Sequence, residues 1–359
     1  MSPRADRPIT VTRSVYRRRR RVKAIAAISV VAVAVGATGY GAWQFIEENE
    51  YLLDERCEVT VNEAQHRLTP AQTYSAAQLA TGAADRDMPI QAAIDALAMS
   101  LQETGLENRA DPEEVAEAEA AAEEAAAEGE SEDAEAAEAA EIAPVLFASG
   151  GPQWDAVDAS NTTPTTRDDF YDRLVESSNG EGESDVEWSP ELGLDEASTA
   201  LGRPHNATFY PQHEELARAF ARPLTGVAPL GMTCHLSQID VPGPDAEGLG
   251  EELNASLPRM LGEEAVTVSG SGESASVSVA VGDIDAEAGV HDPVNGDGSD
   301  ASEGTDPLWM VAQWAVASAE TYGVQSVHAG THEWSRDTGL WERVDEVSDE
   351  SVEIGFSRD

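Results

Sequence analysis

Apolar positions recur at two different spacings along this chain, and the change of spacing divides it. Between Thr69 and Arg222 the spacing is helical. Thr69-Pro70 supplies an N-cap followed by proline at the first helical position, which opens a helix through about Asp85. Asp87 and Pro89 restart the chain. Ile90, Ile94, Leu97 and Leu101 then share one face of a second helix, which Gly105 closes. Further helices are predicted over about Thr166–Glu176, with Phe170, Leu174 and Val175 inward, over Leu194–Leu201 and over Pro211–Arg222. After Cys234 the period shortens. Val266–Val268 and Val277, Val279 and Val281 alternate as strands. Pro307 opens an apolar helix ending at Tyr322-Gly323, and a strand Val324–His328 follows. Glu333-Trp334 and Leu340-Trp341 flank a turn at Gly339, and Val352–Phe356 reads as a last, edge strand. The expected fold class is α+β, with a mainly α domain at 57–236 and a small α+β domain at 237–359.

One apolar run follows neither period. From Ala24 to Ile46 no residue is charged, and 23 residues at about 1.5 Å each span roughly 34 Å, enough to cross a bilayer core. Nine Lys and Arg residues precede it against one acid, Asp6, whereas Glu47, Glu48, Glu50 and Asp54 follow. The positive-inside rule therefore makes 1–23 a cytoplasmic tail, 24–46 a single transmembrane helix and the remainder extracellular. A cleaved signal peptide is the alternative, since Tyr40-Gly41-Ala42 has cleavage-site character and Arg20-Arg21 resembles a twin-arginine signal. The length of the run favours the anchor. In either case the body is exported to the cell envelope.

Charge narrows the partners. The net charge of −46 repels nucleic acid, which is excluded as a partner. Much of it lies in Asp111–Glu141, where Ala and Glu dominate and the one bulkier apolar residue is Val115. Nothing there is available to bury, so 111–144 is read as a solvated, disordered insertion and Asp283–Asp306 as a loop. Cys57 and Cys234 lie 177 residues apart in strand-like surroundings. In an oxidising compartment they form one disulfide that ties the ends of a domain; two buried free thiols are the alternative.

The second helix carries a resemblance. Ala96-Leu97-Ala98-Met99-Ser100-Leu101-Gln102-Glu103-Thr104-Gly105-Leu106 resembles the helix that ends in the catalytic glutamate of the lysozyme-like, lytic-transglycosylase superfamily. The body is similar, more closely, to an actinobacterial membrane-anchored family with a Cys-bounded lysozyme-like domain. Phe170-Tyr171-Asp172-Arg173-Leu174 and Leu216-Ala217-Arg218-Ala219-Phe220 fit that family. The resemblance implies that Glu103 is a general acid/base, protonating a glycosidic oxygen from a partly apolar site. It also implies that the segment from Val145 to Trp154 lines a substrate cleft, with Phe147 and Trp154 as substrate-binding residues. There the family keeps Leu-Phe-Gln-Gln-Arg-Pro; Leu146 and Phe147 survive, but the glutamines and the arginine do not.

The C-terminal unit, with Trp309, Trp314, Trp334 and Trp341, resembles a degenerate zinc D,D-peptidase-like domain. Tetrahedral zinc needs about three protein ligands. Glu273–Val279 lacks the His and Asp expected there, and His328 and His332 read as loop residues, so no metal and no cofactor are expected. The expected function is a membrane-anchored extracytoplasmic protein that binds or remodels peptidoglycan or nascent glycan. If active it is a lytic transglycosylase or muramidase; the alternative is an inactive envelope scaffold.

Overall fold

The computed structural model describes residues 55–108, 145–147, 165–182, 184–203, 207–238, 241, 243–262, 265–282, 284 and 305–358. The tail, the anchor at 24–46, the insertion at 111–144 and Trp154 lie outside the described residues. Among the described residues no helix is long and apolar enough to cross a membrane.

The chain enters through a hairpin, β1 (Arg56–Val61) and β2 (Ala64–Leu68), turned at Asn62 and Glu63, which both adopt positive φ. Such a two-residue turn matches the twist of its flanking strands. On the other side of β1 lies β5 (Met232–His235), antiparallel, with Cys57 directly opposite Cys234. The two are joined in a disulfide, so one bond closes the ends of the intervening chain onto a single three-stranded sheet.

Helices α1 (Pro70–Ala84) and α2 (Ile90–Glu103) follow. The Thr69 hydroxyl accepts from the Gln72 amide, and the Gln72 side chain accepts from the Thr69 amide, so the capping box begins α1 where the sequence places it. Small residues dominate α1, and Ala76, Ala77, Ala80 and Ala83 are completely buried. Gly82 permits the closest approach: a Cβ there would lie 2.8 Å from Tyr171 Cε2. The central helix is α2, with Ile94, Leu97 and Met99 buried between α1 and α5 (Glu214–Leu224). A short ribbon of β3 (Val145–Phe147) and β4 (Thr165–Thr166) precedes α3 (Arg167–Ser178) and α4 (Leu194–Ala200). In α3 the inward residues are Phe170, Tyr171, Leu174 and Ser177; Val175, expected inward, is 42% exposed. The helical step explains this correction: five residues from Phe170, Val175 stands about 140° around the helix.

Beyond β5 come α6 (Ala246–Ser256), β6 (Val266–Ser269), β7 (Ser276–Ala280), α7 (Pro307–Ala317), the single turn α8 (Ala319–Tyr322), β8 (Ser326–Ser335) and β9 (Leu340–Gly355). The strands form an antiparallel sheet in the order β6-β7-β9-β8. Val352–Phe356 therefore does not form an edge. Its β9 residues pair on both sides, and Val352, Ile354 and Phe356 are buried. His328 and His332 are not loop residues either. Both lie in β8, which absorbs register shifts on each side of Gly330 and continues.

The expected boundary at 236/237 is bridged throughout. Helix α7 packs on α1 and α5 as well as on β8 and β9. The Trp334 indole donates to the Cys234 carbonyl at 3.3 Å and Trp341 to that of Met232 at 3.0 Å. The Arg259 and Met260 amides both donate to Asp85 at the end of α1. One core is thus shared by the helical part and the C-terminal sheet, and the described residues from Glu55 onward form one compact unit.

Candidate functional site

Glu103 is the last residue of α2, where Gly105 and then Leu106 turn the chain with positive φ. Two further elements converge on it. The first is the segment after α4: Gly202, at φ 71°, reverses the chain so that the Arg203 amide donates to the Ser198 carbonyl. The second is the 3-10 turn Tyr210–His213 that leads into α5. Arg203 forms an ion pair through Nη1 with Glu103 Oε2, and Tyr210 donates its hydroxyl to Glu103 Oε1 at 2.7 Å. Glu103 is 3% exposed and Tyr210 fully buried.

Phe147 forms part of the same construction. Its ring stacks on Phe170 at 4.4 Å with an interplanar angle of 3°. The Arg203 guanidinium carbon lies 5.0 Å from the Phe147 centroid and 6.0 Å from that of Phe170. A planar, weakly hydrated guanidinium suits this position between a carboxylate and aromatic rings. The strand carrying Phe147 is pinned to α2 because the Leu146 carbonyl accepts from Ser100 Oγ at 2.7 Å and Thr104 Oγ1 at 2.9 Å. The structure thus joins Glu103 and Phe147 through Arg203. Phe147 is fully buried and presents no surface to a ligand.

At the rim, Gln102 Oε1 accepts from Gln212 Nε2 at 2.8 Å and meets His213 Nε2 at 3.0 Å. Burial holds the His213 imidazole below the ordinary histidine range. Two turns towards the N-terminus of α2, Asp95 is completely buried. It accepts from Gln91 Nε2 at 2.7 Å and from the Trp188 indole at 2.9 Å. Burial pushes its carboxyl up to about 7, although both hydrogen bonds act in the opposite direction.

The chain matches no protein-family model, no curated protein and no solved structure. What the site can do therefore rests on its geometry. A general acid needs a substrate oxygen within hydrogen-bond reach of its proton. At Glu103 Arg203 and Tyr210 occupy those positions, and neither carboxylate oxygen is turned towards solvent. Among the described residues no group of three or more His, Cys, Asp and Glu side chains is placed to hold a metal ion.

Reading the sequence for chemistry passed over Arg203, Tyr210 and Asp95. Asp95 carried a signal: it is an acid inside the apolar run Ala92-Ala93-Ile94-Asp95-Ala96-Leu97, on the same helical face as Glu103 eight residues later. Tyr210 carried none, because its contact with Glu103 spans 107 residues.

Proposed function

We propose that this protein is a membrane-anchored, extracytoplasmic binding or scaffold module of the cell envelope, one that engages peptidoglycan or nascent glycan without cleaving it. The observation that carries this reading is the closure of Glu103. The residue at the catalytic position of the resemblance is buried, and both its oxygens are engaged by Arg203 and Tyr210. Exchanging one partner of such a pair for a substrate leaves the other charge buried and uncompensated, at about 3–5 kcal/mol. That cost opposes a catalytic cycle through Glu103.

The location rests on the uncharged run at 24–46 with its charge asymmetry, and the disulfide suits an oxidising compartment. Ten residues separate Ile46 from Cys57 in the sequence, a tether of at most roughly 36 Å when extended, and that limit favours newly made glycan over distant wall in this reading. Co-sedimentation of the purified full chain with insoluble peptidoglycan tests the binding. Retention in the pellet supports the reading. A chain that stays in the supernatant removes the glycan from it and leaves an envelope scaffold with a protein partner.

A further inference from the structure

Among the described residues Phe209 is the one aromatic side chain left exposed, at 40%. A lone exposed apolar residue is ordinary on a protein surface. What sets this ring apart is its position beside two side-chain amides at the rim of the Glu103 cluster.

Phe209 immediately precedes the 3-10 turn Tyr210–His213 and has helical backbone angles itself. Side chains three residues apart eclipse in such a turn. Tyr210 and His213 therefore share the side facing α2, where they meet Glu103 at 2.7 Å and Gln102 at 3.0 Å. Phe209 and Gln212 share an adjoining side, and both are exposed. Gln212 Nε2 donates to Gln102 Oε1 at 2.8 Å, which fixes the two amides against each other. Among the described residues Gln212 Oε1 and Gln102 Nε2 have no hydrogen-bond partner. The pair thus keeps one acceptor and one NH2 donor for a ligand.

On the glycan-binding reading above, we propose that Phe209, Gln212 and Gln102 form a single-sugar subsite that takes the neutral N-acetylhexosamine unit of a glycan strand. One face of a pyranose ring carries axial C–H groups and is apolar, so it lies flat on an aromatic ring. Hydroxyl and acetamido groups project from the sugar's edge, where a few placed amides fix its orientation. Charge selects the neutral unit. Glu214 and Glu215 follow the turn directly, while Arg218 is paired with Glu214 and Arg203 with Glu103. An anionic stem peptide meets this acidic rim without a compensating cation; an uncharged hexosamine avoids the repulsion. Binding here leaves Glu103 closed. Tyr210 keeps its hydroxyl on the carboxylate while its neighbours hold the strand, so the glycan is retained beside a capped acid and is not cut.

Co-sedimentation of the full chain with insoluble peptidoglycan, read as an apparent Kd, tests this against Phe209→Ala, Gln212→Leu and Leu340→Ala. The competitor is chitotetraose, a soluble neutral tetramer of N-acetylglucosamine. Leu340, 48% exposed in the β8–β9 hairpin, controls for general apolar adsorption. Wild-type binding should be displaced by millimolar chitotetraose. It should weaken about ten-fold in Phe209→Ala and several-fold in Gln212→Leu, and stay unchanged in Leu340→Ala. Equal retention of the wild type, Phe209→Ala and Gln212→Leu overturns the subsite and leaves the glycan-binding reading standing. No retention of the wild type removes both. An equal loss in Leu340→Ala, or wall binding that chitotetraose does not displace, overturns the assignment to the sugar. Should Phe209→Ala fail to fold, wild-type binding by Gln212→Leu overturns it as well.

Discussion

The Arg203 guanidinium lies 5.0 Å from the centre of the Phe147 ring while pairing with Glu103 on α2. Arg203 thereby joins two residues that the resemblance assigns to one glycan site, Glu103 as its acid and Phe147 as part of its lining. The pair is nearly sealed, with side-chain exposures of 9% for Arg203 and 1% for Glu103. Arg203→Ala should destabilise the protein by about 3–5 kcal/mol, because it leaves the Glu103 carboxylate buried without its cation. Urea unfolding of both forms measures this. A loss under about 1 kcal/mol would mean that the pair is open to water in solution.

Phe147 gives a second contrast between structure and binding. Phe147→Ala removes a fully buried ring that stacks on Phe170 and should cost about 3–5 kcal/mol in the same unfolding experiment. A residue in contact with ligand would instead alter retention on peptidoglycan while leaving the unfolding midpoint in place.

Gln313 sits in the middle of α7, fully buried, and among the described residues neither its amide nitrogen nor its amide oxygen has a hydrogen-bond partner. Each unmet group costs about 1–3 kcal/mol, so an apolar side chain of similar size is favoured. Gln313→Leu should raise the thermal midpoint by several degrees in a calorimetric scan. A lowered midpoint would show that the amide has a partner, such as an internal water.

The Cys57–Cys234 bond closes a separation of 177 residues. In the chain-entropy model such a closure is worth on the order of 4–5 kcal/mol. The Cys57→Ala, Cys234→Ala double variant should lose stability on that scale, measured by denaturant unfolding under non-reducing conditions. An unchanged midpoint would locate the restraint in the β1–β5 pairing itself.

What the sequence made legible was local. Thr69-Pro70 and Thr166 mark helix starts through side chains that bond their own N-termini, so α1 and α3 begin as predicted. Two elements escaped for equally local reasons. The turn Asn62-Glu63 has no glycine to announce a hairpin, and β2 went unread. Gly248 and Gly250 lower the helical propensity of α6, yet Gly250 lets Val268 of β6 approach to 3.2 Å from where a Cβ would stand. Long-range partnership was not legible. The carboxylate of Glu103 could be placed at a helix end, but Arg203 and Tyr210 arrive from 100 and 107 residues away. The packing of α7 across α1 and α5 likewise has no signature in either segment alone, and it dissolves the expected domain boundary.

The most direct test of the closed Glu103 site is the release of soluble muropeptides from purified peptidoglycan by the full chain, with Glu103→Gln alongside. The account predicts no release above background from either protein. Release by the wild type that disappears in Glu103→Gln would contradict it, because the Arg203 cap would then have to open onto a working acid.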